Sequence, residues 1–409
     1  MNTITKCLWE GKLLREIFPK IKSNNKNHLF YIDEAIGVFY RNFRSLFMKI
    51  SPRKIVFMTF QNQYTCNPKY IAEELVKCYS DCDVVWIVNQ ETLINSMHLD
   101  IPQSIRLIER NTYQSYIELA TAKVWVDNSL NCISKFFFKK KGQIYMETWH
   151  GSLGIKKLET YNPNRGWWKK LAYISNYLID FMFTNSTFEE NIFKETFWPN
   201  VKMIRTGHAR NDIFFSSCLI EKAKRKVCEA LKIQQNLKLV LYAPTFRDRS
   251  DEYFEYPNFE ALVTALNTCM GREWKILVRL HNQSKRDFDF CADYIIDVTG
   301  YPDMQELMAA AEIGITDYSS WIYDFILTER PGFIYAPDLN YYDQSRGFYY
   351  PLEDTPFSIA KDTDELIANI RNFQQKTYLN KIQMFLTEKG CVEDGHASKA
   401  ITNLIIKYL

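Results

Sequence analysis

Along this chain the spacing of apolar residues alternates between two periods. The run "KIVFMTF" (54–60) is continuous and rich in β-branched and aromatic residues, as expected of a strand buried on both faces. "DVVWIVN" (83–89), "AKVWVDN" (122–128), "GQIYMETW" (142–149) and the end of "YLIDFMFTNS" (177–186) read the same way. "PKYIAEELVKCYS" (68–80) instead carries apolar residues at helical spacing, with Pro68 suited to a first turn. This β-α-β rhythm predicts a parallel sheet covered by helices. After a charged helical stretch, "EKAKRKVCEALKI" (221–233), the rhythm restarts. Strands are expected within 238–246, 274–280, 294–300, 312–320 and 330–337, helices at 258–270, 303–311 and 319–328, and a mostly helical stretch over 363–409. The fold class is therefore α/β, with two doubly wound units in series facing a central cleft. The expected division is an N-terminal helical segment (1–52), a first Rossmann-like unit (53–215), a second Rossmann-like unit (216–385) and a C-terminal helix (386–409) placed to cross back to the first unit. Ligands of such sheets bind beyond the carboxyl ends of the strands, at helix N-termini.

The 409 residues suffice for two large cores, and a content of 46% hydrophobic and 24% charged residues is globular rather than disordered. The net charge of +3 is too small to imply nucleic acid, and no nucleic-acid module accompanies it, so none is expected as a partner. Where the basic residues fall is more telling. "EAIGVFYRNFRSLFMKISPRK" (34–54) has the pattern of an amphipathic, basic, aromatic helix, and "SKFFFKKKG" (134–142) and "RGWWKKLAYISNYL" (165–178) repeat the mixture. Rings beside ammonium groups suit the headgroup layer of an anionic membrane, with Trp167, Trp168, Lys169 and Lys170 as expected contacts. No stretch approaches the ~18–20 apolar residues of a membrane span, and the N-terminus lacks a secretory h-region. Ten cysteines without C-x-x-C spacing read as free thiols in a reducing compartment, and no metal site is expected.

The candidate chemistry gathers at strand ends. "TDYSSWIYDF" (316–325) follows an apolar strand and opens a helix, so Ser319 and Ser320 would offer hydroxyls where free backbone amides bind phosphate. In "YAPTFRD" (242–248), Thr245 and Arg247 would add a phosphate contact, Arg247 as a charged donor. "VRLHNQS" (278–284) puts Arg279 and His281 at a third strand end, and the loop "RGFYYPLED" (346–354) holds Arg346 and Gly347, able to close over a ligand. Asp394, in "EDGHAS" (393–398), is expected to cap the last helix. From the first unit, "ETWHGSLGIKKL" (147–158) places His150 at a strand end before a glycine turn. A hydroxyl nucleophile needs a base, and an imidazole near neutrality suits it. Gly151 and Gly154 allow close backbone approach, and Ser152, Lys156 and Lys157 could hold a phosphate. No G-x-x-x-x-G-K-[ST] loop is present, which argues against P-loop hydrolysis.

Six segments in order, "FQNQYTCNPKYIAEEL…VVWIV", "TWHGSLGIKKL", "GHARND" (207–212), "LYAPTFRD", "TDYSS…DF…RP…Y" and "RGFYY", resemble the motifs of the CDP-glycerol glycerophosphotransferases of teichoic acid and capsule synthesis, over residues 35–405. The resemblance implies a GT-B fold of two Rossmann-like halves, metal-independent and without a cofactor, peripheral on the cytoplasmic face of the bacterial cell membrane. It implies transfer of a polyol phosphate from a CDP-activated donor to a hydroxyl of a lipid-linked or polymer acceptor, with release of CMP. The family's two functional histidines fall on His150 and His281. Its donor-phosphate binders fall on Thr316, Asp317, Ser319 and Ser320, its motif arginines on Arg247 and Arg346, and an acidic position on Asp394. Around these, Ser152 replaces a threonine, the lysines come one residue late, His208 and Ala209 stand for Tyr and Pro, and Pro351 replaces an acidic residue. Phosphate-side motifs are thus intact while the polyol side is less typical, and CDP-ribitol competes with CDP-glycerol as donor. A sugar-nucleotide glycosyltransferase on the same fold and a catalytically idle membrane-surface scaffold are the alternatives.

Overall fold

The computed structural model describes residues 3–12, 23–96, 99–130, 132, 137–154, 156–158, 166–245, 255–271, 273–280, 291–339 and 347–409. Two parallel sheets organise the chain. The first contains β1 (Ser51–Phe57), β2 (Asp83–Val88), β3 (Ile105–Glu109), β4 (Ala122–Asp127), β5 (Ile144–Glu147), β6 (Phe181–Thr184) and β7 (Lys202–Arg205), in the order β3-β2-β1-β4-β5-β6-β7. The second contains β8 (Lys238–Tyr242), β9 (Trp274–Val278), β10 (Ile295–Asp297), β11 (Ile313–Thr316), β12 (Gly332–Tyr335) and β13 (Ser358–Ala360), ordered β10-β9-β8-β11-β12-β13. Both follow the doubly wound 3-2-1-4-5-6 sequence, which reverses beside the first strand of each sheet and opens a crevice at the strand ends there.

Continuous apolar strands are what a sheet covered on both faces requires. In β1, Val56 enters the core with Trp125 and Tyr145, while its neighbours Ile55 and Phe57 face the opposite core with Trp86. In β8, Leu239 and Leu241 face one core and Val240 and Tyr242 the other. Three strands escaped the sequence reading: β3, β7 and β13. Each is a sheet edge, and each is short and only partly buried. A long helix, Ser23–Ser45, precedes β1, so the helical pattern expected over 34–54 begins earlier, and residues 51–54 belong to the strand.

The last helix, Ala397–Tyr408, packs on the first unit. Ile401 and Ile405 join the core of Ile55, Phe57 and Trp86, and the Tyr408 ring lies 5.2 Å from that of Phe181. Its opening amides, from Ala397 and Ser398, donate to Asp212 at 3.0 and 2.8 Å. Asp394, expected as the cap, instead accepts from His396 N at 2.9 Å and is exposed.

Candidate active site

The loop after β5 carries an unusual backbone. Trp149 is left-handed, with φ 54°, a region costly for a bulky side chain. Its amide donates to Glu147 Oε1 at 3.0 Å, and its ring packs edge-on against Trp198 and Phe193. Glu147 is itself buried. Loss of water, then the neighbouring Asp127 carboxylate, push its carboxyl well above the ordinary range. Tyr145 donates between the two acids, at 3.2 Å to Asp127 and 3.4 Å to Glu147.

This twist delivers His150 to the cleft. Its Nδ1 lies 2.6 Å from the Asn128 carbonyl, just past the end of β4. A carbonyl only accepts, so Nδ1 bears the proton and Nε2 is the basic nitrogen of the neutral ring. The rings of Trp149 and Phe60 stand 4.5 and 5.5 Å away. His150 keeps an open side toward the cleft but is crowded by protein on the others. Desolvation lowers its pKa, the Asn128 carbonyl works against this, and the Arg210 guanidinium adds to the lowering.

His150 opens on a cavity of about 350 Å³ whose walls include Ser152, Gly154, Lys156 and Lys157 from its own loop and Ser320 from the second unit. The two units nearly touch here: a Cβ added at Gly154 would lie 2.8 Å from Ser320 Cβ. Lys156 Nζ reaches Thr245 Oγ1 across the cleft at 3.4 Å. Leu158 N donates to Tyr349 Oη at 3.0 Å, and Tyr350 Oη donates to the Leu153 carbonyl at 2.5 Å. Asn185 Nδ2 donates to Ser152 Oγ at 3.2 Å.

In the second unit, Ser319 and Ser320 precede the short helix Trp321–Phe325, and the Ser320 side chain makes no capping bond to it. Thr316 and Asp317 lie beneath them, turned inward. Thr316 Oγ1 donates to the Ala243 carbonyl at 2.7 Å, and Asp317 accepts from Thr245 N at 2.8 and 3.0 Å, tying the β8 and β11 ends together. Arg279 is half-buried, and its Nη1 is enclosed with no hydrogen-bond partner among the described residues. Burial lowers its pKa against the pull of Asp303. The structure thus gathers His150, Ser152, Lys156, Lys157 and Ser320 around one cavity, with Thr245 joined through Lys156. Asp394, Lys169 and Lys170 are not in its wall. Arg247, His281 and Arg346 lie outside the described residues, as do the side chains of Trp167 and Trp168.

Sequence reasoning missed the layer behind this wall. Arg210 donates from Nη2 to the Gly151 carbonyl, from Nε to Asp324 Oδ2 at 2.9 Å and from Nη1 to Cys66 Sγ at 3.4 Å. Asn211 Nδ2 donates to Asp324 at 3.0 Å and to Glu393 at 2.9 Å. His208 Nε2 lies 3.0 Å from Glu189 Oε2, and its amide donates to Glu393. Burial pushes Glu393 up to about 7, with His208 pulling the other way. The available signal was R-N-D within "GHARND", a charged run between a strand and a helix.

Among known proteins, the chain is 29% identical over 380 residues to a teichoic acid poly(glycerol phosphate) polymerase of Staphylococcus epidermidis, covering 88% of this chain and 51% of that protein. It is 27% identical over 388 residues to a teichoic acid glycerol-phosphate transferase of Staphylococcus aureus, covering 90% and 96%. The chain thus spans about half the length of the first of these relatives and nearly all of the second. The solved structure of the wall teichoic acid polymerase TagF superposes with a TM-score of 0.78 at 26% identity, over 95% of this chain and 98% of that one. The family described as CDP-Glycerol:Poly(glycerophosphate) glycerophosphotransferase matches residues 39–407, and the chain belongs to it.

Proposed function

We propose that this protein transfers a polyol phosphate, glycerol phosphate foremost, from a CDP-activated donor to a hydroxyl of a membrane-linked or polymer acceptor. The observation that carries this reading is the state of His150: Nδ1 is committed to the Asn128 carbonyl, leaving Nε2 basic beside a cavity lined by Lys156, Lys157 and Ser320. An acceptor hydroxyl gives its proton to Nε2 as its oxygen bonds to the β-phosphorus. The bond from that phosphorus to the bridging oxygen breaks, and CMP leaves with that oxygen. Charge building on the phosphates is met by the lysines and the Ser320 hydroxyl of the cavity wall and by Arg279, whose Nη1 has no partner among the described residues, fixed donors of the kind that lower such barriers most. His281 is assigned the second functional histidine by the family pattern. With fixed cations from the protein, no metal or cofactor is required, so a chelator should leave turnover unchanged.

The two doubly wound sheets facing this cleft support a GT-B arrangement. Among the described residues no helix is long and apolar enough to cross a membrane. The helix Ser23–Ser45 supports a peripheral seat on the cytoplasmic face. Phe39, 73% exposed on it, lines an apolar groove of about 1360 Å³ with Lys139, Lys140 and Lys141, and Phe47, just beyond the helix, is 69% exposed. Amphipathic surfaces of this kind bind anionic bilayers.

The test is CMP release with CDP-glycerol and, separately, CDP-ribitol, given a lipid-linked acceptor in vesicles. Release from one donor, lost in His150→Gln, is the expected result. Absence of both release and donor binding would overturn the reading in favour of a nucleotide-sugar donor or an idle scaffold.

A further inference from the structure

The loop bearing His150 is held from behind at each peptide around it. Asn67 Nδ2 donates to the Thr148 carbonyl at 3.1 Å and the Trp149 carbonyl at 3.2 Å, and Arg210 donates to the Gly151 carbonyl. The two holders are joined, since Arg210 N donates to Asn67 Oδ1 at 3.1 Å. The same guanidinium bonds Asp324, on the helix that follows Ser319 and Ser320. Arg210 and Asn67 are both buried. A left-handed tryptophan persists only where its surroundings over-determine it, and this clamp supplies that constraint.

We propose that Arg210, with Asn67, is the positioning residue of the reaction: it fixes the turn that presents His150 and couples that turn to the Ser319–Ser320 segment through Asp324. The inference rests on the assignment of His150 as base. A planar fork is needed, because the Gly151 carbonyl, the Asp324 carboxylate and the Cys66 sulfur lie in separate directions that one ammonium cannot serve together. Burial works against the Arg210 charge, and the Asp324 carboxylate more than restores it, so the charge persists at all working pH. That charge also holds the His150 imidazole down.

Other ionisable groups share the surroundings. Lys156, Lys157 and Glu189 line the cavity with His150, and Glu147 lies beneath Trp149. His208, Cys66 and Asp324 surround Arg210. Only a variant at Arg210 itself separates its effect from theirs.

The experiment uses the full chain, CDP-glycerol and a lipid-linked acceptor in vesicles. It adds the pH midpoint of His150 modification by diethylpyrocarbonate, read on its own peptide. Arg210→Lys keeps the charge and loses the fork: kcat should fall about 10²-fold, the cost of a small misplacement, with donor KM within twofold and the midpoint unmoved. Arg210→Met loses the charge as well, and the midpoint should rise part of the way, since burial, the larger cause of its depression, remains. Near-normal kcat in Arg210→Lys, or an unmoved midpoint in Arg210→Met, would overturn the proposal. If Arg210→Met does not fold, Asn67→Ala replaces it. This variant should lower kcat about tenfold with the midpoint unchanged, and full activity there would equally overturn the proposal. If the wild type releases no CMP, the assignment of the reaction fails, while the midpoint still reports whether Arg210 acts on His150.

Discussion

The two sheets share one strand order and use it differently. In the second, the loop after the fourth strand, β11, presents Ser320 to the cavity, with Ser319 preceding it in the chain. In the first, the described residues of the loop after the fourth strand, β4, bring no side chain to the wall of the cavity. Its Asn128 carbonyl instead orients the His150 imidazole, which arrives from the loop after the fifth strand, β5. One crevice therefore supplies hydroxyls and the other a base with its support. A shared architecture fixes where chemistry can sit, and the loop that reaches the cleft decides what it is.

The sharpest way to break this division of labour is His150→Gln, which keeps a polar side chain and removes the base. CMP release should fall about 10²–10⁴-fold with donor binding retained, measured by single-turnover release and donor titration. Next, Gly154→Ala places a methyl against Ser320 where the units nearly touch. It should cost on the order of 10²-fold by parting the two halves of the site. Ser320→Ala removes one donor while sparing the packing. About 10–100-fold is expected, the worth of a hydrogen bond to a charged group.

The junction behind the site gives a smaller effect, read in stability rather than rate. Burial raises Glu393 to about 7 in the folded protein, so between pH 4.5 and about 7 the folded state holds a proton the unfolded chain has lost. Stability from this group is complete below that window and is lost as pH rises through it. His208, also raised with the help of Glu189, adds a loss of the same sign above pH 6.5. The difference in melting temperature between wild type and Glu393→Gln should shift by a few degrees over this range, in the direction that favours the variant at the higher pH. Smallest in turnover, Phe39→Asp with Phe47→Asp should abolish co-flotation with anionic vesicles while leaving release toward a soluble acceptor near normal.

Legibility followed burial. The interior strands announced themselves because both faces are apolar, as in "KIVFMTF" and "DVVWIVN". The missed strands are edges that mix charge into the run, Arg106 in β3 and Lys202 and Arg205 in β7, because solvent covers part of them. The His150 turn was legible from its glycines and its place at a strand end. The clamp was not, since Arg210 and Asp324 are 114 residues apart and Asn211 and Glu393 182. Nor does an aromatic residue announce a left-handed backbone, and Trp149 owes that state to Glu147, to its ring contacts and to the clamp at its carbonyl.

The helix Ala397–Tyr408 has a consequence for how the molecule is made. It completes the core around Ile55, Phe57 and Trp86, yet it leaves the ribosome after the whole second unit. The half begun first is therefore finished last. Until Ile401 and Ile405 arrive, a nascent chain carries an uncovered apolar face on a sheet that is otherwise built. Through the synthesis of the entire second sheet that face is exposed apolar surface of the kind that drives aggregation.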